Sequence, residues 1–393
     1  MNILLIDDEP FSLKLLQRQL RNAGFDRVFG FEYAREALAA LQAEDARPDV
    51  IICDLQMPDL DGIEMLRHLA QAQFAGGLVL ISGEDERVLQ TAQRLAHAHQ
   101  LHVLGALHKP VEPRRLTRLL EQHSSRVPSR NHNPRPSYDA GQVKRALQQN
   151  ELINFYQPKV DVGRGTVSGV ETLVRWLHPT DGLVGPDQFI ATAEENGLID
   201  ALTKTVLQQA LTQMKSWRET GMNFQVAVNI SMDNLVNLEF PDWLADSARD
   251  AGVQASSLLL EVTESRLMRN RLLVLDILTR LRLKGISLSI DDFGTGFSSL
   301  AQLRDLPFDE LKIDQSFVHG AWRDPSLRTF FDGSCNIGRQ IGLKIVAEGV
   351  EDQSDWQFLR EVDCDLAQGY FIARPMPAEQ LPDWISDWSR HPN

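Results

Sequence analysis

The N-terminal part of the chain alternates short apolar runs with segments whose leucines recur at helical spacing. Pro10–Asn22, for example, places Leu13, Leu16 and Leu20 on one face of a predicted helix. The apolar runs predict strands at Asn2–Ile6, Val50–Cys53, Leu78–Ser82 and Leu104–Leu107. Because such strands need helices on both faces of their sheet, the pattern predicts an α/β domain with a parallel sheet covered on both faces over residues 1–122.

A polar segment separates this pattern from a longer one. Residues 123–137 are rich in Pro, Ser and Asn and offer almost nothing to bury, which is typical of a linker. Residues 138–393 continue the alternation, with strands predicted at Phe155–Val160, Val167–Val174, Gln225–Ile230, Leu258–Val262, Ser287–Ile290, Glu310–Ile313, Leu343–Ala347 and Leu366–Ile372. About eight strands in about 250 residues predict a (β/α)8 TIM-like barrel, whose functional groups gather at the carboxyl ends of its strands.

The composition narrows the class of protein. Of 393 residues, 43% are hydrophobic and 24% are charged, as in ordinary globular proteins, so a mostly disordered chain is excluded. The 54 Asp and Glu outnumber the 40 Lys and Arg, and the net charge of −14 argues against DNA as a partner. Since no apolar run approaches a membrane span or a signal peptide, and the three cysteines lie far apart, we expect a cytoplasmic protein with reduced thiols and no membrane partner.

Five polar side chains lie at the strand ends predicted for the smaller domain. They are Asp7, Asp8, Asp54, Ser82 and Lys109. Crowded carboxylates repel one another without a cation, so the three aspartates could hold one Mg²⁺ while an oxygen of Asp54 attacks a phosphoryl group. Lys109, aimed by a candidate cis-proline after it, would neutralise the phosphate, and the Ser82 hydroxyl would hydrogen-bond to it. A solvated loop end is the alternative for any single aspartate, but the five residues together are far more specific.

A larger set of polar side chains lies at the strand ends predicted for the barrel. It comprises Glu171, Asn229, Glu261, Glu264, Asp291, Asp292, Lys312, Asp314, Glu348 and Gln368. Carboxylates and amides without paired His or Cys favour hard cations such as Mg²⁺ or Mn²⁺. Two such ions suit in-line attack on a phosphodiester, with Lys312 positioning the attacking water and offsetting the charge on phosphorus. For each acid alone, the alternative is a salt-bridged residue on the rim of the barrel. Asp292-Phe-Gly294 has the sequence of a kinase metal-binding motif, but a kinase is excluded because the glycine-rich loop, the strand lysine and the catalytic-loop His-Arg-Asp are missing.

Four motifs in the smaller domain belong together: Asp7-Asp8-Glu9-Pro10, Asp54-Leu-Gln-Met-Pro58-Asp-Leu-Asp-Gly62, Ser82-Gly83 and Lys109-Pro110. With these motifs, residues 1–122 resemble the receiver domain of two-component response regulators. The resemblance implies a doubly wound (βα)5 fold. It also implies Asp54 as the phospho-acceptor, a cognate histidine kinase as the partner and one bound metal ion. It further implies Asp7 and Asp8 as the metal-binding pair, and Ser82 and Lys109 as switch residues.

Eight motifs in the larger domain carry a second resemblance: Tyr156-Gln-Pro158, Glu171-Thr-Leu-Val-Arg-Trp176, Asn229-Ile-Ser231, Glu261-Val-Thr-Glu264, Asp291-Asp-Phe-Gly-Thr-Gly296, Lys312-Ile-Asp314, Glu348-Gly-Val-Glu351 and Gln368-Gly-Tyr370. Through them, residues 138–390 resemble the EAL-type cyclic-di-GMP phosphodiesterases. The resemblance implies hydrolysis of cyclic di-GMP to linear pGpG with two Mg²⁺ or Mn²⁺ ions bound in the barrel.

The same resemblance implies a role for each matching residue. Ligands of the first metal ion would be Glu171, Asn229, Glu261 and Asp291. Ligands of the second would be Asp291, Asp292 and Glu348, where Glu348 is also the general base beside the catalytic Lys312. The substrate would contact Gln157, Arg175, Asp314 and Gln368. The loop from Asp291 to Ser299 would be stabilised by Glu264.

Two positions depart from these families. Ala106 stands where receivers usually carry an aromatic ring, so the inward swing of that ring cannot couple phosphorylation to output here. The signature triplet is Glu171-Thr-Leu173 rather than Glu-Ala-Leu. Because the ligand Glu171 is retained and Thr is small, we expect altered activity at most.

We therefore predict a homo-oligomeric response regulator in which a phosphorylatable receiver controls a metal-dependent phosphodiesterase. One alternative is a catalytically silent cyclic-di-GMP receptor that signals through a protein partner. Another is a scaffold that the receiver merely dimerises. Retention of every metal ligand together with Lys312 and Glu348 favours the enzyme, because a site that only binds needs no two-metal cluster.

Overall fold

The structure is a computed structural model that describes residues 1–42, 48–72, 74–83, 86–99, 101–126, 138–231, 233–263, 271–295 and 300–390. The chain divides into two compact units, Met1–Asn133 and Pro134–Asn393. Of the predicted linker, residues 123–126 are helical, and residues 127–137 lie outside the described residues. Among the described helices, none combines the length and the apolarity that crossing a membrane requires.

The first unit alternates strands and helices along the chain. Its strands are β1 (Asn2–Ile6), β2 (Arg27–Phe31), β3 (Val50–Asp54), β4 (Gly77–Ser82) and β5 (His102–His108). Its helices are α1 (Pro10–Asn22), α2 (Ala34–Gln42), α3 (Gly62–Gln71), α4 (Glu86–Ala98) and α5 (Pro113–Arg126).

The five strands form one parallel sheet in the order β2-β1-β3-β4-β5. Alternate strand residues face opposite sides, so α1 and α5 pack on one face while α2, α3 and α4 cover the other. This arrangement confirms the predicted doubly wound (βα)5 fold. The apolar pattern missed β2, because Arg27 and Gly30 interrupt its run of apolar residues.

The second unit contains ten strands and ten α-helices among the described residues. The strands are β6 (Leu152–Asp161), β7 (Val167–His178), β8 (Gly182–Val184), β9 (Gln225–Asn229), β10 (Leu258–Thr263), β11 (Ser287–Phe293), β12 (Glu310–Ile313), β13 (Lys344–Ala347), β14 (Leu366–Ala367) and β15 (Met376–Pro377). The helices are α6 (Ala140–Gln148), α7 (Ile190–Glu195), α8 (Ile199–Glu219), α9 (Phe240–Asp250), α10 (Arg271–Leu283), α11 (Leu300–Asp305), α12 (Gln315–Val318), α13 (Pro325–Gln340), α14 (Gln353–Glu361) and α15 (Leu381–Arg390).

Eight of these strands close a barrel in the order β6-β7-β9-β10-β11-β12-β13-β14, with β14 pairing back to β6. The closure confirms the predicted TIM-like barrel. Seven strands run parallel to one another, whereas β6 is antiparallel to both of its neighbours. Because only residues 162–166 join β6 to β7, too few for a crossover helix, the two strands form a hairpin.

The last barrel strand is shorter than predicted. It ends at Ala367 because the chain leaves the sheet at Gly369, where a Cβ atom would lie 2.2 Å from the backbone nitrogen of Val350. The N–H of Val350 donates to the Gln368 carbonyl at 3.1 Å, and the N–H of Phe371 donates to the Val350 carbonyl at 2.9 Å. The segment after β14 is therefore held against the segment after β13.

A buried carboxylate also joins the segments that follow β12 and β13. Asp355 in α14 accepts hydrogen bonds from the backbone N–H of Gly320 (3.0 Å) and of Glu351 (3.1 Å). Its Oδ2 lies 2.8 Å from Nδ1 of His319, whose Nε2 lies 3.9 Å from the Glu351 carboxylate. The hydrogen bond with Asp355, with help from neighbouring carboxylates, raises the pKa of His319.

We predict that His319→Gln lowers the free energy of unfolding more at acid than at alkaline pH. The stabilising charge of His319 is fully present below its unfolded pKa of about 6.5 and is lost as the pH rises through the raised folded pKa. Urea denaturation of parent and variant at about pH 6 and about pH 9 measures the difference. An equal loss at both pH values would contradict this prediction.

Candidate active site

The side chain of Lys312 lies inside the barrel, surrounded by carboxylates from four other strands or strand ends. β12 places it on the inner face, where it is 1% exposed. The distances from Nζ to the nearest carboxylate oxygens are 3.5 Å for Glu171, 3.1 Å for Glu261, 3.2 Å for Asp291 and 2.8 Å for Glu348. These five residues, the mouth cluster, are charged side chains that the sequence places at strand ends.

Two side-chain amides donate hydrogen bonds to the Glu171 carboxylate, and a third amide contacts one of them. Asn229 Nδ2 donates to Glu171 Oε1 at 2.8 Å, and Gln368 Nε2 donates to Glu171 Oε2 at 2.7 Å. The same Gln368 nitrogen also lies 3.1 Å from the Gln157 amide oxygen. Burial acts to raise the pKa of Glu171, but the charge of Lys312 and the amide hydrogen bonds outweigh burial and leave that pKa lowered.

The end of β11 carries two adjacent aspartates. In a regular strand, consecutive side chains point to opposite faces. Asp292, however, has a backbone φ of 57°, a left-handed conformation that costs roughly 1–2 kcal/mol, and its N–H donates to Asp291 Oδ1 at 2.9 Å. As a result, Asp291, Asp292 and Glu348 each offer an oxygen within 4.8 Å of the others.

Burial and crowding change the pKa values of the mouth cluster and of the neighbouring Asp292. Burial, opposed by Lys312 and reinforced by Asp291, raises the pKa of Glu348 to about 8. Burial together with the charge of Asp291 raises the pKa of Asp292 to about 6, and burial raises the pKa of Glu261 well above its ordinary range. Burial alone would lower the pKa of Lys312, but the surrounding carboxylates raise it well above its ordinary value, so this side chain is an ammonium ion.

The mouth cluster and its neighbours have the chemistry of a site for hard divalent cations. Their ligand atoms are carboxylate and amide oxygens, and one ammonium group faces four carboxylates. Within the described part of the chain, no hydrogen-bond donor reaches Oε1 of the buried Glu261. The residues that could hold a cation are Glu171, Asn229, Glu261, Asp291, Asp292 and Glu348.

Two residues predicted to contact the substrate, Arg175 and Asp314, make their hydrogen bonds outside the mouth cluster. Arg175 is half-buried on β7, where its guanidinium donates to the Val174 carbonyl at 2.9 Å and lies 5.7 Å from the ring centroid of Phe155. Asp314 caps α12 by accepting a hydrogen bond from the N–H of Ser316 at 3.0 Å. Neither residue has a salt bridge to the mouth cluster within the described ranges.

The remaining predictions for the barrel concern a loop outside the described residues and the threonine of the signature triplet. Glu264 and residues 296–299 lie outside the described residues, so the predicted contact between Glu264 and the Asp291–Ser299 loop stays a prediction. Thr172 is buried on the opposite face of β7 from Glu171 and lines a cavity of about 270 Å³ beside α8. The unusual residue of the triplet therefore does not face the cluster.

A second buried ion pair was missed by sequence reasoning. Lys159 Nζ on β6 lies 2.8 Å from Glu310 Oε1 on β12, and the two side chains are 2% and 3% exposed. The sequence predicts functional residues at the carboxyl ends of strands, whereas Lys159 lies within its strand and Glu310 begins its strand. The one available signal is a charged residue at an inward-facing position of an otherwise apolar strand.

The first unit brings together its own predicted residues. Lys109 Nζ contacts the Asp54 carboxylate and lies 2.9 Å from Asp7 Oδ2. Asp7 and Asp54 are buried, while Asp8 is exposed, and the three offer oxygens within 4.8 Å of one another. This is the predicted arrangement of three carboxylates and one lysine at strand ends of one sheet.

The surroundings of Asp54 include a cis peptide bond and the buried end of β4. The peptide bond between Lys109 and Pro110 is cis, as predicted. Ser82 is fully buried at the end of β4, and its carbonyl accepts the N–H of Lys109 at 2.8 Å. Burial raises the pKa of Asp54 although Lys109 opposes the shift, and an open cleft of about 540 Å³ leads to this carboxylate.

Comparison with known proteins gives matches over both units. Residues 140–375 match the family described as EAL domain, and residues 3–121 match the family described as response regulator receiver domain. The cyclic di-GMP phosphodiesterase RocR of Pseudomonas aeruginosa is 31% identical over 391 residues, which cover 98% of this chain and 99% of RocR. The cyclic di-GMP phosphodiesterase NbdA of the same organism is 42% identical over 245 residues, 62% of this chain and 31% of NbdA.

Solved structures also resemble this chain. The MucR phosphodiesterase in complex with cyclic di-GMP is 41% identical, with a TM-score of 0.58, and the match covers 61% of this chain and 97% of that chain. The FimX EAL domain from Pseudomonas aeruginosa bound to cyclic di-GMP is 21% identical, with a TM-score of 0.55, covering 60% and 94%. At that identity, the likeness to FimX shows the fold alone.

We predict that the affinity of the site formed by the mouth cluster and Asp292 for Mn²⁺ rises with pH across the neutral range. Glu348, with a pKa of about 8, and Asp292, with a pKa of about 6, must lose their protons before their carboxylates bind a cation. Protons therefore compete with the metal ion at low pH. Calorimetric titration between about pH 6 and about pH 9 measures both the affinity and the protons released.

This titration uses the full chain with Asp7→Asn and Asp8→Asn, so that the acidic cluster of the first unit does not contribute. Glu348→Gln removes the group with the higher pKa and should flatten the dependence above about pH 7. An affinity that does not change with pH would contradict the prediction.

Proposed function

The chain belongs to the EAL domain family, and on this premise we propose a response regulator whose receiver domain controls hydrolysis of cyclic di-GMP to linear pGpG. The observation that carries the proposal is the mouth cluster, in which one buried lysine meets four carboxylates inside a barrel. Similarity to RocR over nearly the full length supports the activity, and the receiver family match over residues 3–121 supports its combination with a receiver. The cyclic di-GMP complex of MucR supports the substrate.

Two Mg²⁺ or Mn²⁺ ions would be held by oxygens of the mouth cluster and its neighbours. The first ion would be held by Glu171, Asn229, Glu261 and Asp291, and the second by Asp291, Asp292 and Glu348. When bound, such ions activate water and stabilise the leaving oxygen of a phosphodiester. The excess of carboxylates over ammonium groups supports this assignment, as does Oε1 of Glu261, which accepts no hydrogen bond within the described residues.

Glu348 and Lys312 would carry out the proton and charge steps. Glu348 is protonated near neutral pH in the cation-free site, would ionise once the site holds cations, and could then accept a proton from the attacking water. Lys312, whose ammonium lies 2.8 Å from Glu348, would orient that water and offset the negative charge that develops on the phosphoryl oxygens.

The remaining site residues would bind and position the substrate. The planar guanidinium of Arg175 suits a bidentate contact with a phosphate group. Gln157 and Gln368, which are hydrogen-bonded to each other, would present amide groups to the nucleotide, and Asp314 would accept its N–H groups. Glu264 would hold the loop that begins at Asp291.

The receiver would control this reaction through phosphorylation by a cognate histidine kinase. Asp54 would be the phospho-acceptor, with one Mg²⁺ held by Asp7, Asp8 and Asp54. Lys109 now contacts the Asp54 carboxylate, so a phosphoryl group there would recruit its ammonium. The Ser82 hydroxyl would hydrogen-bond to the same phosphoryl group.

We predict that Glu348→Gln removes most turnover while leaving cyclic di-GMP binding measurable. The amide cannot accept a proton from water, and loss of a general base typically costs about 10²–10⁴-fold in rate. Arg175 and the first metal ion would still bind the substrate. Product formation followed by chromatography, together with equilibrium binding of cyclic di-GMP, measures the two effects.

Glu351→Gln is the matched control, because it neutralises an exposed carboxylate on the same segment. We expect near-parental turnover from this control. Parental turnover in Glu348→Gln would refute the role of Glu348, and a parent that binds cyclic di-GMP without hydrolysing it in Mg²⁺ would favour a receptor.

We predict that Asp54→Asn abolishes phosphorylation of the chain by acetyl phosphate. Asparagine keeps the shape of the side chain but lacks the nucleophilic carboxylate oxygen. Incorporation of label from the donor measures the effect, with Asp26→Asn, an exposed carboxylate of the same unit, as the control. Equal labelling of Asp54→Asn and the parent would rule out Asp54 as the phospho-acceptor.

A further inference from the structure

Beneath the mouth cluster, the barrel contains a second layer of buried charge. Lys159 Nζ lies 2.8 Å from Glu310 Oε1 and 3.8 Å from Glu261 Oε1. Glu261 thus stands between two ammonium groups, because its other oxygen lies 3.1 Å from Lys312 Nζ. All four side chains are at most 3% exposed, so water screens these charges little.

The strand register brings these groups together. Glu261 on β10 pairs with Ser289 on β11, and Ser289 pairs with Glu310 on β12. The three side chains therefore lie side by side on adjacent strands, with the small serine between the two carboxylates. Lys159 reaches this row from β6, and of the two carboxylates it takes Glu310 at hydrogen-bond distance.

We propose that Glu310 is a positioning residue for the metal site, because it neutralises Lys159 and keeps this ammonium from pairing with Glu261. The inference rests on the proposed function, in which Glu261 is a ligand of the first metal ion. In the structure, Oε1 of Glu261 meets no hydrogen-bond donor within the described residues, although Lys159 is near. Lys159 donates to Glu310 at 2.8 Å instead, so Glu310 accounts for the missing hydrogen bond between Lys159 and Glu261.

The balance of buried charges predicts that loss of the Glu310 carboxylate weakens binding of the metal ion. Without the carboxylate of Glu310, the buried ammonium of Lys159 has Glu261 as its nearest anionic partner. The closer pair would draw Glu261 away from the metal ion and add one uncompensated positive charge beside a cation site. Removing Lys159 as well restores the balance, so the double variant should again bind the metal ion as the parent does.

The test measures Mn²⁺ binding to the full chain by electron paramagnetic resonance of the free ion, which does not depend on turnover. All variants carry Asp7→Asn and Asp8→Asn, so that the receiver does not contribute. Glu310→Gln should raise the dissociation constant for Mn²⁺ about 10–100-fold, as loss of an outer partner of a ligand typically does. Lys159→Gln with Glu310→Gln should return it to near the parental value, and Ser289→Ala, a neutral change in the same row, should leave it parental.

Parental affinity in Glu310→Gln would overturn the inference, and so would equally weak binding in the single and the double variant, which would indicate a purely structural role. If Glu310→Gln does not fold, Lys159→Gln decides, because we expect it to bind Mn²⁺ at least as tightly as the parent. Weaker binding in Lys159→Gln would overturn the inference. A parent that binds no Mn²⁺ in this background would overturn the proposed metal site together with the inference, whereas the other outcomes concern Glu310 alone.

Discussion

The contact of one ammonium group with four carboxylates is the interaction on which the barrel site depends. Lys312 is almost fully buried, and a buried charge is tolerated only where partners compensate it. Its partners come from different strands, so the barrel must close for them to meet. In turn, the carboxylates could not converge without a cation among them. The fold and the charge balance therefore require each other.

The first unit contains the same kind of contact, with one lysine and fewer carboxylates. Lys109 there meets the carboxylates of Asp7 and Asp54, which come from two neighbouring strands of an open sheet. In both units a lysine from one strand end meets acids from others, and acids exceed lysines. Such sites are suited to accept additional positive charge, which is the common physical basis for proposing metal ions in both.

Much of the fold and of the two sites could be predicted from the sequence, because apolar runs locate strands and the carboxyl ends of parallel strands converge. The direction of β6 was missed because hydrophobicity is the same read either way along a strand, although the short connection to β7 was a signal for a hairpin. The left-handed backbone at Asp292 escaped too, because aspartate adopts it only where the surrounding structure requires it. Lys159 and Glu310 were missed because their pairing depends on barrel closure, which joins residues far apart in sequence.

The antiparallel direction of β6 also determines where the chain enters the barrel. Leu152, the first residue of β6, pairs with Trp176 near the end of β7, and the ring of Tyr138 lies 4.5 Å from that of Trp176. The polypeptide thus arrives at the rim that carries the site. Tyr138 therefore packs against the end of the strand that carries Glu171 and Arg175, so the first described residue of the second unit and the candidate active site share one rim of the barrel.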